Sequence, residues 1–425
     1  RFVQTAPLLE AVRELTGDVT ATATLRTLFH QETYVVAVAA ITFPDETTWI
    51  DAGVPTDLEH EGLDQEALAW RWDPAWPLPE TTNRETFIAS LAERGKIWPT
   101  DRTLRFALIA RSDELHLYKV LKDLVLRVAE IAPEAPMSRL AASHVALRER
   151  KVAIVGCGSL GSKIATALAR SGVRRFLLVD DDLLLPGNLV RHDLDWRDVG
   201  THKAEAVARR VRLVAPTAEC ETSKLRLGAQ EASAGVDGLL SRLAGCDLVV
   251  DATAEPRAFN LISGAIASGK AAMVWAEVFG GGIGGLIARH RPDLEPGPQT
   301  MRQTIESWCA ERNSPIDKAA RDYATGGDGT PLVASDADVS VIAAHAAHLA
   351  LDTMQGGTSS YPHSVYLVGL AHGWIFEQPF DTHPIDVGAP TDQGASESDS
   401  VEAGAALDRV VKLLGERGNA TPPPA

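Results

Sequence analysis

Apolar residues recur along the first third of the chain without one lasting period. Helical spacing from Leu8 to Leu15 predicts a helix, and Val, Ala and Ile crowd together from Tyr34 to Phe43 as in a strand. Leu104 to Ala110 reads as a further strand. Leu115 to Ala132 repeats its apolar residues as a helix would, ahead of the break at Pro133 and Pro136. Trp70 to Pro99 holds four tryptophans and several prolines without clear period, which predicts a loop-rich stretch, either packed or turned to a partner.

From Lys151 the pattern becomes regular. Val152 to Val155 is a buried strand, Ser162 to Ser171 a helix and Arg175 to Val179 a second strand, which together make a βαβ unit. The alternation continues with helices at Lys203 to Val214 and Phe259 to Ser268, and strands at Leu248 to Asp251 and Ala272 to Val278. Ala337 to Met354 is an Ala-rich helix, and Val365 to Leu370 with Trp374 to Phe380 reads as a closing pair of strands. The fold class expected is α/β with a mainly parallel sheet. Residues 1–132 form a mixed α/β accessory domain, 137–387 the main domain, and 388–425 a linker, an amphipathic helix at Val401 to Leu414 and a Pro-rich tail.

Composition narrows the class. The 425 residues exceed one ordinary core, and 45% hydrophobic with 23% charged residues are ordinary globular values without a bilayer-length apolar run. A net charge of −16 speaks against nucleic-acid or anionic-membrane binding. Four cysteines without a C-x-x-C pair or a secretory signal predict a reducing cytoplasm and no structural zinc.

Candidate chemistry begins at Gly156-Cys157-Gly158-Ser159-Leu160-Gly161, between a strand and a helix, where glycines let backbone approach phosphate and the helix N-terminus favours an anion. Alone, this loop with Asp180 after the second strand equally suits a nicotinamide dinucleotide. The discrimination comes from Asp180-Asp181-Asp182, Asn188-Leu189-Val190-Arg191, and Gly200 with Lys203, a cationic set that a dehydrogenase does not need. Forming an acyl adenylate accumulates negative charge at the α-phosphate, and Arg191, Lys203 and a magnesium ion suit that task.

In this ordered set, Arg139 to Asp352 resembles the adenylation domain of the ThiF, MoeB and ubiquitin-E1 superfamily, of the prokaryotic type found in ubiquitin-like conjugation and phage-defence systems. The resemblance implies a Rossmann-like fold, ATP and Mg2+ as ligands, and adenylylation of a ubiquitin-like protein's C-terminus. It further implies an E2-like partner, a homodimer, and a crossover segment near 290–330. By it, Gly156, Gly158, Ser159, Leu160 and Gly161 cradle the nucleotide and Asp180 binds the ribose. Asp182 and Asn188 shape the site, and Arg191 and Lys203 contact phosphates. An arginine ahead of the first strand, Arg139 or Arg148, corresponds to one that often enters the site. One departure stands out: Asp251-Ala252-Thr253 is followed by Ala254 where the family commonly has a second, metal-holding acid. Asp251 and Glu255 are the replacement metal ligands expected.

Some relatives of this kind carry the acyl group onward as a cysteine thioester. Cys157, Cys220 and Cys246 read as small core residues, whereas Cys309 lies in a polar segment beside Arg312 and is the candidate nucleophile. Phe279 to Gly285 reads as a hairpin turn, and His345 and His348 as packed helix residues, since no third ligand is suitably spaced. Two rival readings remain: a catalytically inactive binding subunit, motivated by Ala254, and an NAD-dependent oxidoreductase, motivated by the glycine loop and Asp180.

Overall fold

The computed structural model describes residues 1–14, 20–30, 33–60, 63–99, 104–132, 139–227, 233–267, 269–312 and 333–390. The break at Pro133 to Pro136, much of the expected crossover segment, and the 391–425 tail with its expected helix lie outside the described residues.

The first 131 residues build a nine-stranded mixed sheet. Its strands are β1 (Phe2–Val3), β2 (Thr20–His30), β3 (Thr33–Thr42), β4 (Thr48–Ile50), β5 (Leu63–Trp72), β6 (Phe106–Arg111), β7 (Glu114–Val120), β8 (Val125–Arg127) and β9 (Glu130–Ile131). They lie in the order β8-β7-β6-β5-β2-β3-β1-β9, with β4 beside β3. Helix α1 (Ala6–Glu14) packs Leu8 and Val12 on one face, and α2 (Arg84–Ala92) packs Phe87 and Leu91 on the other.

Three expectations are corrected here. The stretch 115–132 is β7, β8 and β9, not a helix: Leu115 and Leu117 point to one face and Tyr118 and Val120 to the other, so both faces are buried and the period of two is masked. The 70–99 stretch contains the end of β5 and α2, which Asn83 caps by accepting from the Thr86 N–H at 3.0 Å. Its tryptophans are packing residues, with Trp70 and Trp72 fully buried. Trp374 to Phe380 is not a strand, because Trp374 and Phe380 take left-handed backbone at φ 53° and 70°, and the closing strand falls at Thr382–Ile385 instead.

The second sheet is eight-stranded. After the short helix α3 (Ala142–Val145) come β10 (Lys151–Val155), α4 (Ser159–Arg170), β11 (Arg175–Val179), α5 (Lys203–Val214), β12 (Glu219–Ser223), α6 (Ser233–Ala244), β13 (Leu248–Asp251), α7 (Pro256–Ala267) and β14 (Ala272–Val278). Then follow β15 (Gly284–His290), α8 (Pro298–Glu311), α9 (Asp336–Gln355), β16 (Val365–Gly369) and β17 (Thr382–Ile385). Strands β12-β11-β10-β13-β14 run parallel, and β15, β16 and β17 extend the sheet antiparallel. The Phe279 to Gly285 segment is the β14–β15 hairpin connection, as the sequence indicates.

Strands covered on both faces read as continuous apolar runs, and β10 does so. Its Val152 and Ile154 join α4, α5 and α9 in one core, while Ala153 and Val155 join α6, α7 and α8 in another. This is a three-layer, doubly wound sheet. The chain winds outward from β10 to β12, then returns to β13 on the far side of β10, so a crevice opens at the C-terminal ends of β10 and β13. The two sheets' regions are joined by a forked ion pair: Arg212 of α5 donates to both Asp57 carboxylate oxygens at 2.7 and 2.8 Å.

Behind the hairpin, fully buried Arg289 of β15 donates to Asp352 at 2.6 Å, to Ser359 at 2.8 Å and to the Tyr361 carbonyl at 3.3 Å. Removing one member of such a pair strands a buried charge. Arg289→Ala is therefore expected to lower stability to urea by about 3–5 kcal/mol. Arg289→Met with Asp352→Leu should recover most of that loss.

Candidate nucleotide site

A cavity of about 620 Å³ occupies the crevice. Its floor is the loop from Val155 to Leu160, and its shape depends on two glycines. Gly156 has φ 86° and lies where a Cβ would meet the Ala252 backbone at 3.0 Å. A Cβ on Gly161 would fall 1.9 Å from the Gly156 carbonyl oxygen. Both contacts press the first turn of α4 against the strand ends, leaving Gly158, Ser159 and Leu160 at the cavity surface with the helix N-terminus behind them. Gly161 itself does not line the cavity; it makes the close approach possible.

One wall is charged. Asp180, Asp182, Asn188, Arg191 and Lys203 all line it, so the expected polar residues are brought together, with Asp181 added. Asp180 accepts from the Cys157 N–H at 2.7 Å and from the Asp182 N–H at 2.9 Å, tying the glycine loop to the end of β11. Burial pushes the Asp180 carboxyl up, against the lowering by these donors and by Lys203. Lys203, at the start of α5, donates to Asp182 at 2.8 Å, and Asn188 accepts from the Leu185 N–H at 2.8 Å. The cavity is also lined by Leu225 to Leu227 and by Phe279, Ile283, Val339 and Trp374, none foreseen from sequence. Leu225 to Leu227 follow an edge strand with little apolar signal. Phe279 and Trp374 pack edge to face at 5.2 Å.

The metal expectation divides. Glu255 lines the cavity, but Asp251 does not: it is 4% exposed, and one of its oxygens accepts from both the Thr253 N–H at 2.9 Å and the Thr253 hydroxyl at 2.6 Å. Ala254, between them, takes left-handed backbone at φ 53°. Glu277, at the end of β14 and missed from sequence, brings a second carboxylate to the cavity. Among the described residues, the cluster of acids close enough to share an ion is Asp180, Asp181 and Asp182, where Lys203 already occupies Asp182. Glu255 and Glu277 are hard oxygen donors of the kind magnesium takes when it keeps several waters and phosphates as its other ligands.

Cys309 is corrected. It is not in a polar segment but on the inner face of α8, where it is fully buried with Met301 and Ile305. Burial pushes its thiol up to about 11, although Arg312 acts to lower it. Arg312 lies 3.7 Å over the Trp308 ring. None of the four cysteines lines the cavity. Arg139 and Arg148 do not line it either, and Arg148 pairs with Glu149 at 3.5 Å. His345 and His348 lie on the exposed side of α9 rather than packed inside.

Residues 137–330 match the ThiF family, and the chain thus carries a ThiF family domain. An uncharacterized protein, y4qC, of Sinorhizobium fredii is 36% identical over 118 residues, covering 27% of this chain and 20% of that protein. The ATP-dependent ubiquitin transferase-like protein Cap2 of Pseudomonas aeruginosa is 32% identical over 152 residues, covering 35% of this chain and 25% of that protein. The chain spans about a fifth to a quarter of the length of these relatives. A crystal structure of Escherichia coli MccB with ATP superposes with a TM-score of 0.44 at 17% identity, covering 59% of this chain and 67% of that one. No described helix is long and apolar enough to cross a membrane.

The Asp251 environment generates a pH test. Burial raises its carboxyl from 3.8 to about 6, against the lowering by Thr253. The folded state therefore holds this proton more tightly than the unfolded state, and the stability this contributes fades as pH rises from about 4 to about 6. Asp251→Asn, which has no such ionisation, is expected to gain roughly 2–3 kcal/mol over the natural protein across that window and to hold the gain above it. Urea midpoints of both proteins at several pH values measure the difference.

Proposed function

We propose that the chain adenylylates the C-terminal carboxylate of a small ubiquitin-like protein with ATP. The observation that carries this reading is that Arg191 and Lys203 line the same cavity as the α4 N-terminus. A triphosphate needs cations beyond what the helix N-terminus supplies, whereas a nicotinamide dinucleotide does not need this set. In the reaction a carboxylate oxygen bonds to the α-phosphorus, the bond from that phosphorus to the bridging oxygen breaks, and pyrophosphate leaves with the electron pair. The Gly158 to Leu160 backbone and Lys203 hold the phosphates against the helix N-terminus. Arg191 meets the charge that develops, and Asp180 is placed for the ribose. Glu255 and Glu277 are the carboxylates that would hold a magnesium ion, which would supply charge neutralisation for the pyrophosphate. In this reading the apolar wall of Phe279, Ile283 and Trp374 takes the chain end that carries the carboxylate.

Further support comes from the ThiF domain and from the names of matching proteins, an ATP-dependent ubiquitin transferase-like protein and an adenylyltransferase and sulfurtransferase. Cytoplasmic location, a homodimer, an E2-like partner, a role in phage defence, and an accessory role for residues 1–132 belong to the same proposal. The thioester on Cys309 does not, because the thiol is buried on α8 and does not line the cavity. A second reading, an inactive binding subunit, is favoured by Ala254.

Pyrophosphate exchange into ATP, with ubiquitin-like proteins as carboxylate donors, tests the proposal. Arg191→Ala and Lys203→Ala should each lower exchange by about 100-fold or more, and Cys309→Ala should leave it unchanged. Exchange retained in the first two variants would contradict the site. Absent exchange in the natural protein with every donor would favour the inactive subunit.

A further inference from the structure

Resting on the nucleotide-site reading, we infer that His192 is a positioning residue that holds the glycine loop in its phosphate-binding shape through the Cys157 carbonyl. His192 follows Arg191 directly and is 7% exposed. Its Nε2 lies 2.9 Å from the Cys157 carbonyl oxygen, and the Leu194 N–H reaches its Nδ1 at 3.3 Å. A ring nitrogen that accepts from an amide carries no proton, so Nδ1 is the acceptor and Nε2–H the donor to Cys157. This is the neutral ring in a single tautomer. Burial holds its pKa at about 4, with Lys203 of α5 and Lys163 of α4 also lowering it and Asp193 opposing them.

Cys157 is thereby held through both of its backbone groups. Its N–H goes to Asp180 and its carbonyl to His192, which leaves the next amides, from Gly158 onward, at the cavity. The loop carrying His192 is itself anchored on α4: the Asp193 N–H donates to the Ser162 hydroxyl at 3.3 Å, and the Thr166 hydroxyl donates to Asp193 at 2.7 Å. His192 therefore couples two parts of the site that sequence leaves separate, the phosphate loop and the Arg191 loop. A side chain that fills the volume without donating leaves the Cys157 carbonyl buried and unpaired, and the loop is free to turn it toward the cavity.

The test compares His192→Leu, which fills the space, with His192→Gln, whose side-chain amide donates from about the Nε2 position. Hydrogen–deuterium exchange of the 156–162 loop without nucleotide, and the ATP KM and kcat in pyrophosphate exchange, are read on both. His192→Leu should speed loop exchange and raise the ATP KM by about tenfold with kcat nearly kept, and His192→Gln should restore both. Unchanged loop exchange in His192→Leu, or equal damage in His192→Gln, would overturn the inference, since a ring that only packs gains nothing from the amide. The loop measurement needs no nucleotide, so it judges His192 even if the natural protein fails to bind ATP, an outcome that would count against the functional reading instead.

Discussion

The site rests on one steric contact, the absence of a side chain at Gly161 against the Gly156 carbonyl. Any Cβ there would occupy the space of that oxygen. Because it is missing, α4 starts at the lip of the crevice rather than a turn away, and its first turn, which has no side-chain cap, lines the cavity. The doubly wound order supplies the crevice; the glycine contact gives it an anion-attracting floor. Asp180 and His192 then hold the backbone N–H and carbonyl of Cys157, between Gly156 and Gly158.

Charge is arranged around that floor with little to spare. The chain carries a net charge of −16, yet cations converge where phosphates would sit. Lys203 is held on Asp182, so it is oriented before a ligand arrives, at the cost of a competing carboxylate. Ala254 leaves no acid at its position in the 251–255 turn, and the carboxylates that reach the cavity there are Glu255 at the end of the turn and Glu277 of β14. The acid at the strand end, Asp251, is spent internally on Thr253.

The parts of the fold legible in sequence are those whose burial is one-sided or complete. β10 is an unbroken apolar run because helices cover both faces, and α9 has its Ala-rich stripe. The first sheet is harder, since in β7 His116 and Lys119 interrupt the apolar run and leave Leu115, Leu117, Tyr118 and Val120 in a helix-like spacing, and its hairpin with β6 turns on Ser112 at φ 51°, a residue that gives no strong turn signal. β12 escaped notice because an edge strand with exposed Glu219 and Glu221 has little apolar signal. Cys309 was misplaced for the opposite reason: its neighbours Glu306 and Glu311 suggest a polar loop, whereas Met301, Ile305 and Cys309, spaced by four, mark one helix face. The glycine loop, Asp180, Asn188, Arg191 and Lys203 could be picked out because phosphate chemistry restricts residue type at each position. Glu277, Phe279 and Trp374 reach the cavity only through the hairpin and the closing strands, and no local pattern announces them.

The central claim is that the crevice directs a carboxylate to the α-phosphate of ATP. Incubating the protein with a ubiquitin-like protein and ATP labelled separately at the α- and γ-phosphates tests it directly. The account predicts that α-label becomes attached to the C-terminal carboxyl while γ-label is released in pyrophosphate. Release of γ-label as inorganic phosphate with ADP, and no α-label on the polypeptide, would contradict it.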